Sequence, residues 1–287
     1  MANYKTGWAG LGTMGNPMAA RLVAAGYELI VYNRTREKEQ ALREAGALSA
    51  DSPADLAAAC DTVVIMVSDD PACQELFLGD QGLLTASGSG TRFINMSTIS
   101  PDLSRDLYHR CKEMGCFYLD APVSGSVKQA TEGQLVIMTG GDEAVLEKVR
   151  PLLDHLGKLV LYVGAAGNGN AAKLAVNTLL AIYTQGLAEA ITLAKSNGIR
   201  PEDFMTLINN GALSNVYTKI KGDAILQDQY KAAFALRHMV KDLGLAQQIG
   251  LDTPLGTATA ATFSEAAGRW SDDDLIAVYK HIETLRK

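Results

Sequence analysis

The stretch Gly10-Leu11-Gly12-Thr13-Met14-Gly15 decides how the rest of the chain is read. Before it, Lys5–Ala9 is a short apolar run of strand character, and after it Met14 to Ala25 has helical spacing. Glycine-rich turns alone are common, but a G-x-G-x-x-G turn joining the first strand to the first helix has a defined physical use. Gly10 permits the tight turn, Gly12 lets a pyrophosphate approach the backbone, and Gly15 lets helix and strand pack closely. The helix N-terminus then faces the phosphates. The motif predicts a dinucleotide site in which Leu11, Thr13 and Met14 supply the intervening backbone.

The next strand, Glu28–Tyr32, indicates which dinucleotide. NAD sites place an Asp or Glu about 20 residues past the turn to bond the ribose 2′-hydroxyl. Here Asn33-Arg34-Thr35-Arg36 follows Tyr32, with no carboxylate to repel a 2′-phosphate. Arg34 offers a fork of donors, with Asn33, Thr35 and Arg36 beside it, so the charge argument favours NADP(H). Val67, Ser68 and Asp69 are expected on the adenosine side, and Ser97 and Thr98 on the nicotinamide side. Ser97 and Thr98 read equally well as cap residues before Pro101.

Further strands are expected at Thr62–Val67, Arg92–Met96, Phe117–Asp120, Leu135–Thr139 and Lys158–Val163. Between them, Ser52-Pro53 and Ser100-Pro101 read as N-caps followed by proline at the first helical position. Alternation of this kind implies right-handed βαβ crossovers and a mostly parallel sheet. After Gly167 the strand signal stops. Asn170 to Asn197 is one long helical run closed by Gly198, apolar on most faces and so expected to be buried between neighbours. Helices follow at Pro201–Asn209, Ser214–Ala224, Ala235–Gly250, Pro254–Ala267 and Asp272–Arg286, the last with Ser271 and Asp274 resembling a capping box. The fold expected is an α/β Rossmann domain over residues 1–164, then an all-helical domain over 165–287 joined by a long interdomain helix.

Composition bounds the partners. The chain has 287 residues, 47% hydrophobic and 20% charged, which excludes a disordered or collagen-like protein. The net charge of −6 argues against nucleic-acid and anionic-membrane partners. Cys60, Cys73, Cys111 and Cys116 are scattered, with no metal spacing, and suit a reducing, cytoplasmic setting. The N-terminal MANYKTGWAG lacks an apolar leader segment. The uncharged stretch between Lys173 and Glu189 falls short of the roughly 20 residues of a membrane span.

Four stretches carry a family resemblance. Gly10-Leu-Gly-Thr-Met-Gly-Asn-Pro-Met-Ala-Ala20, Asp120-Ala-Pro-Val-Ser-Gly125, Gly167-Asn-Gly-Asn-Ala-Ala-Lys173-Leu-Ala-Val-Asn177 and Lys241-Asp242-Leu243 resemble, in order, the signature motifs of the β-hydroxyacid dehydrogenase family. The resemblance implies a small aldehyde or hydroxyacid substrate, catalysis by Lys173, and assembly as dimers or tetramers. It also implies substrate contacts from Ser124, Gly125, Ser126, Asn177 and Lys241, with Phe234 and His238 bordering them and Lys241 also near the cofactor. Many members carry two glycines after the motif serine, whereas here Ser126 follows Gly125. Ser124–Ala130 and Leu236-Arg-His-Met239 are most similar to the glyoxylate/succinic semialdehyde reductase branch, which prefers NADPH. Three other readings are 3-hydroxyisobutyrate or tartronate semialdehyde dehydrogenase, imine reductase, and a non-catalytic NADP-binding scaffold. Imine reductases generally lack a lysine at the position of Lys173, and the intact Lys173, Asn177 and Lys241 set disfavours a scaffold. The chain is short for the 6-phosphogluconate enzymes of similar architecture.

Lys173 and Asn177, four apart, share one helix face. A lysine near a helix N-terminus is poorly placed for stability. The helix's positive end and a second ammonium such as Lys241 would both lower its pKa toward that of a useful proton donor.

Overall fold

The computed structural model describes residues 5–286; Met1–Tyr4, the first part of the stretch read for a leader, lie outside the described residues, as does Lys287. Two compact units are present, Met1–Lys173 and Leu174–Lys287. The division falls inside the long helix rather than before it.

In the first unit nine strands form one sheet: β1 (Thr6–Ala9), β2 (Leu29–Tyr32), β3 (Leu48–Ser49), β4 (Thr62–Ile65), β5 (Arg92–Asn95), β6 (Phe117–Asp120), β7 (Val123–Ser124), β8 (Leu135–Gly141) and β9 (Gly157–Gly164). Their order is β3-β2-β1-β4-β5-β6-β8-β7, with β9 also paired to β8. Pairing is parallel except where β8 meets β6 and β7. Strand order reverses between β1 and β4, the switch point at which such sheets open a crevice for ligands. The register makes that edge level, because Ala9 lies opposite Tyr32 and Ile65, Ile65 opposite Asn95, and Asn95 opposite Asp120. Segments leaving the carboxyl ends of these strands therefore start side by side.

Both sheet faces are covered, which explains why the strands read as unbroken apolar runs. Trp8, Val31, Val64, Ile94 and Leu119 pack with Met18 and Leu22 of the first helix, Gly15–Ala24. Ala9, Val63, Ile65, Phe93 and Tyr118 pack on the other side with Phe77 and Leu107. The helices Pro53–Ala59 and Pro101–Glu113 start as expected: Ser52 Oγ accepts from Asp55 N at 3.1 Å, and Ser100 Oγ from Leu103 N at 3.2 Å. The two-residue strands β3 and β7 were not expected, being too short to carry a period.

In the second unit the helix Asn168–Ser196 is followed by Pro201–Asn209, Val216–Leu226, Leu236–Gln248, Pro254–Trp270 and Val278–Thr284. Gly198 closes the long helix at φ +79°. Ala181, Ala188 and Ile191 bury one of its faces against Met205, Met239 and Phe263. The expectation that it is buried on most sides is corrected, since Leu179 is 68% and Leu193 54% exposed. By length and composition alone this helix could cross a membrane, but its packed face is that of a core helix. The expected capping box at Ser271 also fails. The helix Pro254–Trp270 runs up to Ser271, and the Asp274 carboxylate instead accepts from Lys221 Nζ, Ala233 N, Phe234 N and Ile276 N.

Candidate active site

The glycine turn separates its three glycines physically. Gly10 has φ +97°, and a Cβ there would sit 2.2 Å from the Met66 carbonyl oxygen. A Cβ at Gly15 would lie 2.1 Å from Gly10 O, so these two positions require glycine for packing. Gly12 is different, because a Cβ there would meet nothing within 4 Å. The helix behind it has no side-chain cap and no acidic residue in its first turn. Open space over an uncapped helix N-terminus fits a dinucleotide pyrophosphate. Gly12 and Thr13 are exposed, while Leu11 is buried and Met14 packs onto the core.

Asn33 fixes this turn. Its Oδ1 accepts from Leu11 N at 2.8 Å, its Nδ2 donates to Thr35 O at 2.7 Å, and its own N–H donates to Glu39 Oε1 at 2.8 Å. Asn33 thus holds the loop on which the cofactor contacts are expected. Glu39 is fully buried and also accepts from Ser49 Oγ. Arg36 is engaged too, 2.7 Å from Asp51 Oδ1, and that bond raises its pKa further. Arg34 and Thr35 are exposed, and Arg34 forms no ion pair among the described residues. It is the cation left available at the end of β2.

The loops after β4 and β5 are tied together. Ser97 is buried, and its Oγ accepts from Val67 N at 2.9 Å. Ser97 is therefore a strut between the two loops, not an open wall, and helix capping falls to Ser100 instead. Half-buried Thr98 lies in the same loop. Asp69 caps the helix Asp70–Leu78 through Ala72 N and accepts from exposed Ser68 Oγ.

Asp120, at the end of β6, holds the start of the lysine helix. Its fully buried carboxylate accepts from Gly167 N and Asn170 N, both at 2.8 Å. Burial raises its pKa, and the backbone amides pull the other way. Asn170 in turn accepts from Ile99 N at 3.0 Å and donates to Ser104 Oγ at 3.0 Å. The segment carrying Lys173 is thereby pinned to the ends of β5 and β6. Half-buried Lys173 lies one turn past Asn170.

The motif after β6 is partly committed to structure. Half-buried Ser124 pairs with Val136, and Gly125 has φ +143°, where a Cβ would meet Leu135 at 2.7 Å. Ser126 donates through both its N–H and its hydroxyl to Gln129 Oε1, capping the helix Val127–Glu132. The Ser126 amide is thereby engaged within the chain.

Within the helical unit, buried Asn177 donates from Nδ2 to Asp242 Oδ2 at 2.5 Å. Lys241 Nζ lies 3.2 Å from Asp242 Oδ1, so this ammonium is charge-paired rather than bare. Phe234 stacks on His238 with ring centres 6.2 Å apart. Asp120, Asn170, Asp242 and Glu39 were all missed as site residues. Asp120, Asn170 and Asp242 had a signal, their place inside quoted motifs, and Glu39 had none. The cysteines are buried free thiols, with Cys60 and Cys73 pushed up to about 12 by burial.

A glycine turn open at Gly12, an available arginine beyond β2 and an anchored lysine helix define an NAD(P)-dependent oxidoreductase. Residues 5–164 match the NAD binding domain of 6-phosphogluconate dehydrogenase, and residues 167–282 the NAD-binding domain of NADP-dependent 3-hydroxyisobutyrate dehydrogenase. The chain belongs to the β-hydroxyacid dehydrogenase family. It is 34% identical to glyoxylate/succinic semialdehyde reductase 2 of Arabidopsis thaliana, over 100% of this chain and 81% of that one. It is 35% identical to 2-hydroxy-3-oxopropionate reductase of Escherichia coli, over 98% of each chain. Among solved structures, 3-hydroxyisobutyrate dehydrogenase of Mycobacterium tuberculosis with L-serine superposes with a TM-score of 0.88 at 31% identity, over 99% of each chain.

The turn geometry yields a contrast. Gly12→Ala is expected to leave the melting temperature within about 2 °C while weakening cofactor binding at least about tenfold, because its methyl occupies ligand space. Gly10→Ala is expected to lower the melting temperature by several degrees. Thermal denaturation with and without NADPH checks both.

Proposed function

We propose that this protein reduces small carboxylate-bearing aldehydes, glyoxylate and succinic semialdehyde among them, to hydroxyacids with NADPH. The observation that carries the reading is the anchored helix, with Lys173 between Asn170, held at the sheet, and Asn177, held by Asp242. Bound NADPH supplies the hydride for the carbonyl carbon. The Lys173 ammonium donates its proton to the carbonyl oxygen as charge develops there, and in the oxidative direction the amine takes it back. Asn177 has committed an N–H to Asp242, so its carbonyl oxygen suits it to accept from the Lys173 ammonium one turn away. Asn177 thus serves to aim Lys173. Ser124 in the first unit and, separately, Lys241 beside Asp242 in the second are the groups suited by their chemistry to a substrate carboxylate. Phe234 borders the aldehyde.

Preference for NADPH rests on Arg34, exposed and without an ion-pair partner among the described residues. Assembly as a homodimer or homotetramer rests on the apolar residues left uncovered in the helical unit. Leu179, Val216 and Ile220 are 68%, 74% and 58% exposed, more than a single chain needs to show on helices. The buried free thiols suit the reducing cytoplasm.

Lys173→Ala is expected to lower kcat by about 10²- to 10⁴-fold with NADPH binding retained; full activity in that variant would remove the lysine from the reaction. Arg34→Asp should weaken NADPH at least about tenfold more than NADH, as steady-state kinetics with both cofactors will read, whereas equal losses would mean that Arg34 does not sense the 2′-phosphate. For assembly, Leu179→Glu is expected to shift the mass measured by light scattering toward the 30.5 kDa monomer.

A further inference from the structure

Lys221 and Asp274 form an ion pair that the reaction above does not use. Nζ and Oδ1 are 2.6 Å apart, and the two side chains are 8% and 4% exposed. A buried pair is weak evidence for stability, since desolvating two charges offsets much of their attraction. Its geometry shows another use.

Asp274 divides its two oxygens. Oδ1 accepts from Lys221 Nζ and from Ile276 N at 3.1 Å. Oδ2 accepts from Ala233 N at 3.0 Å and Phe234 N at 3.3 Å. The backbone at the same place completes a clasp. Asp274 N donates to Tyr230 O at 2.8 Å, Leu275 N to Phe234 O at 2.9 Å, and Leu236 N to Asp273 O at 2.9 Å. Residues 230–235 have no regular structure apart from the Ala235–Asp274 bridge. Their position is therefore set by this carboxylate, and they carry Phe234 and launch the helix Leu236–Gln248 that bears Lys241 and Asp242.

We infer that the Lys221–Asp274 pair is a positioning clamp that sets substrate selectivity, holding the Ala233–Phe234 backbone so that the Phe234 ring limits the length of aldehyde accepted. Lys221 neutralises the buried carboxylate, which lets it keep both segment amides. The selectivity part rests on the function proposed above; the clamp itself does not.

The test compares the oligomeric, full-length protein with Lys221→Met, Asp274→Asn, the double variant and Lys221→Arg. Amide hydrogen exchange by mass spectrometry reads the segment directly. Exchange over residues 230–236 should accelerate at least about tenfold in both single variants, beyond any change in the Pro254–Trp270 helix, and recover in Lys221→Arg. Kinetics with NADPH read selectivity. The ratio of kcat/KM for glyoxylate to that for succinic semialdehyde should fall at least about tenfold through KM, with NADPH affinity unchanged. The double variant removes both charges, so it should recover thermal stability without recovering the native ratio. Unchanged exchange over 230–236 overturns the clamp. Native selectivity in a double variant that has regained its stability overturns the selectivity role. Failure of the native protein to reduce either aldehyde would sink the proposed function, while the exchange result would still decide the clamp.

Discussion

The carboxylate of Asp120 is the constraint on which the arrangement turns. A helix leaves its first N–H groups without intrahelical acceptors, and the helix Asn168–Ser196 begins where the sheet edge excludes water. From the end of β6, Asp120 accepts from one of those amides, Asn170 N, and from Gly167 N just before the helix. Space for it is made by glycines, because a Cβ at Gly140 would lie 2.6 Å from Oδ1 and one at Gly169 2.8 Å from Oδ2. Its pKa is raised, so burial outweighs the amides and ionisation costs stability. A proton-bearing Asp120 could not accept equally from both amides. The charged form is retained because it fixes where the lysine helix begins.

From that anchor the helix carries its chemistry in adjacent turns. Asn170 ties back to Ile99 N, and Ser97 ties the same loop to Val67 N. The loops after β4 and β5 and the helix start therefore form one hydrogen-bonded body within the first unit. Asn177 meets Asp242 inside the second unit. Lys173 lies in sequence between the two asparagines, and the proton transfer proposed for it would depend on that alignment.

What the sequence could reveal follows the distance over which each interaction acts. The long strands were legible to within a residue or two because a sheet covered on both faces selects apolar runs. The Ser52 and Ser100 caps act over three residues and were read correctly. Asp120 reaches Gly167 across 47 residues, and Asn177 reaches Asp242 across 65, so no local pattern encodes either bond. Where a local pattern misled, a competing partner had intervened. Ser126 bonds Gln129 within the chain, and Asp274, expected as the partner of a Ser271 cap, caps the turn at Ile276 itself while taking Lys221 and the Phe234 segment.

The same competition revises the electrostatics. Arg34 was read as the phosphate fork with Arg36 beside it, and Asp51 engages Arg36. Lys241 looked like a bare ammonium that would depress a neighbouring lysine, yet Asp242 balances it. The positive helix end beside Lys173 is likewise met by Asp120. Both positive features that the sequence offered are thus met by carboxylates, each within its own unit.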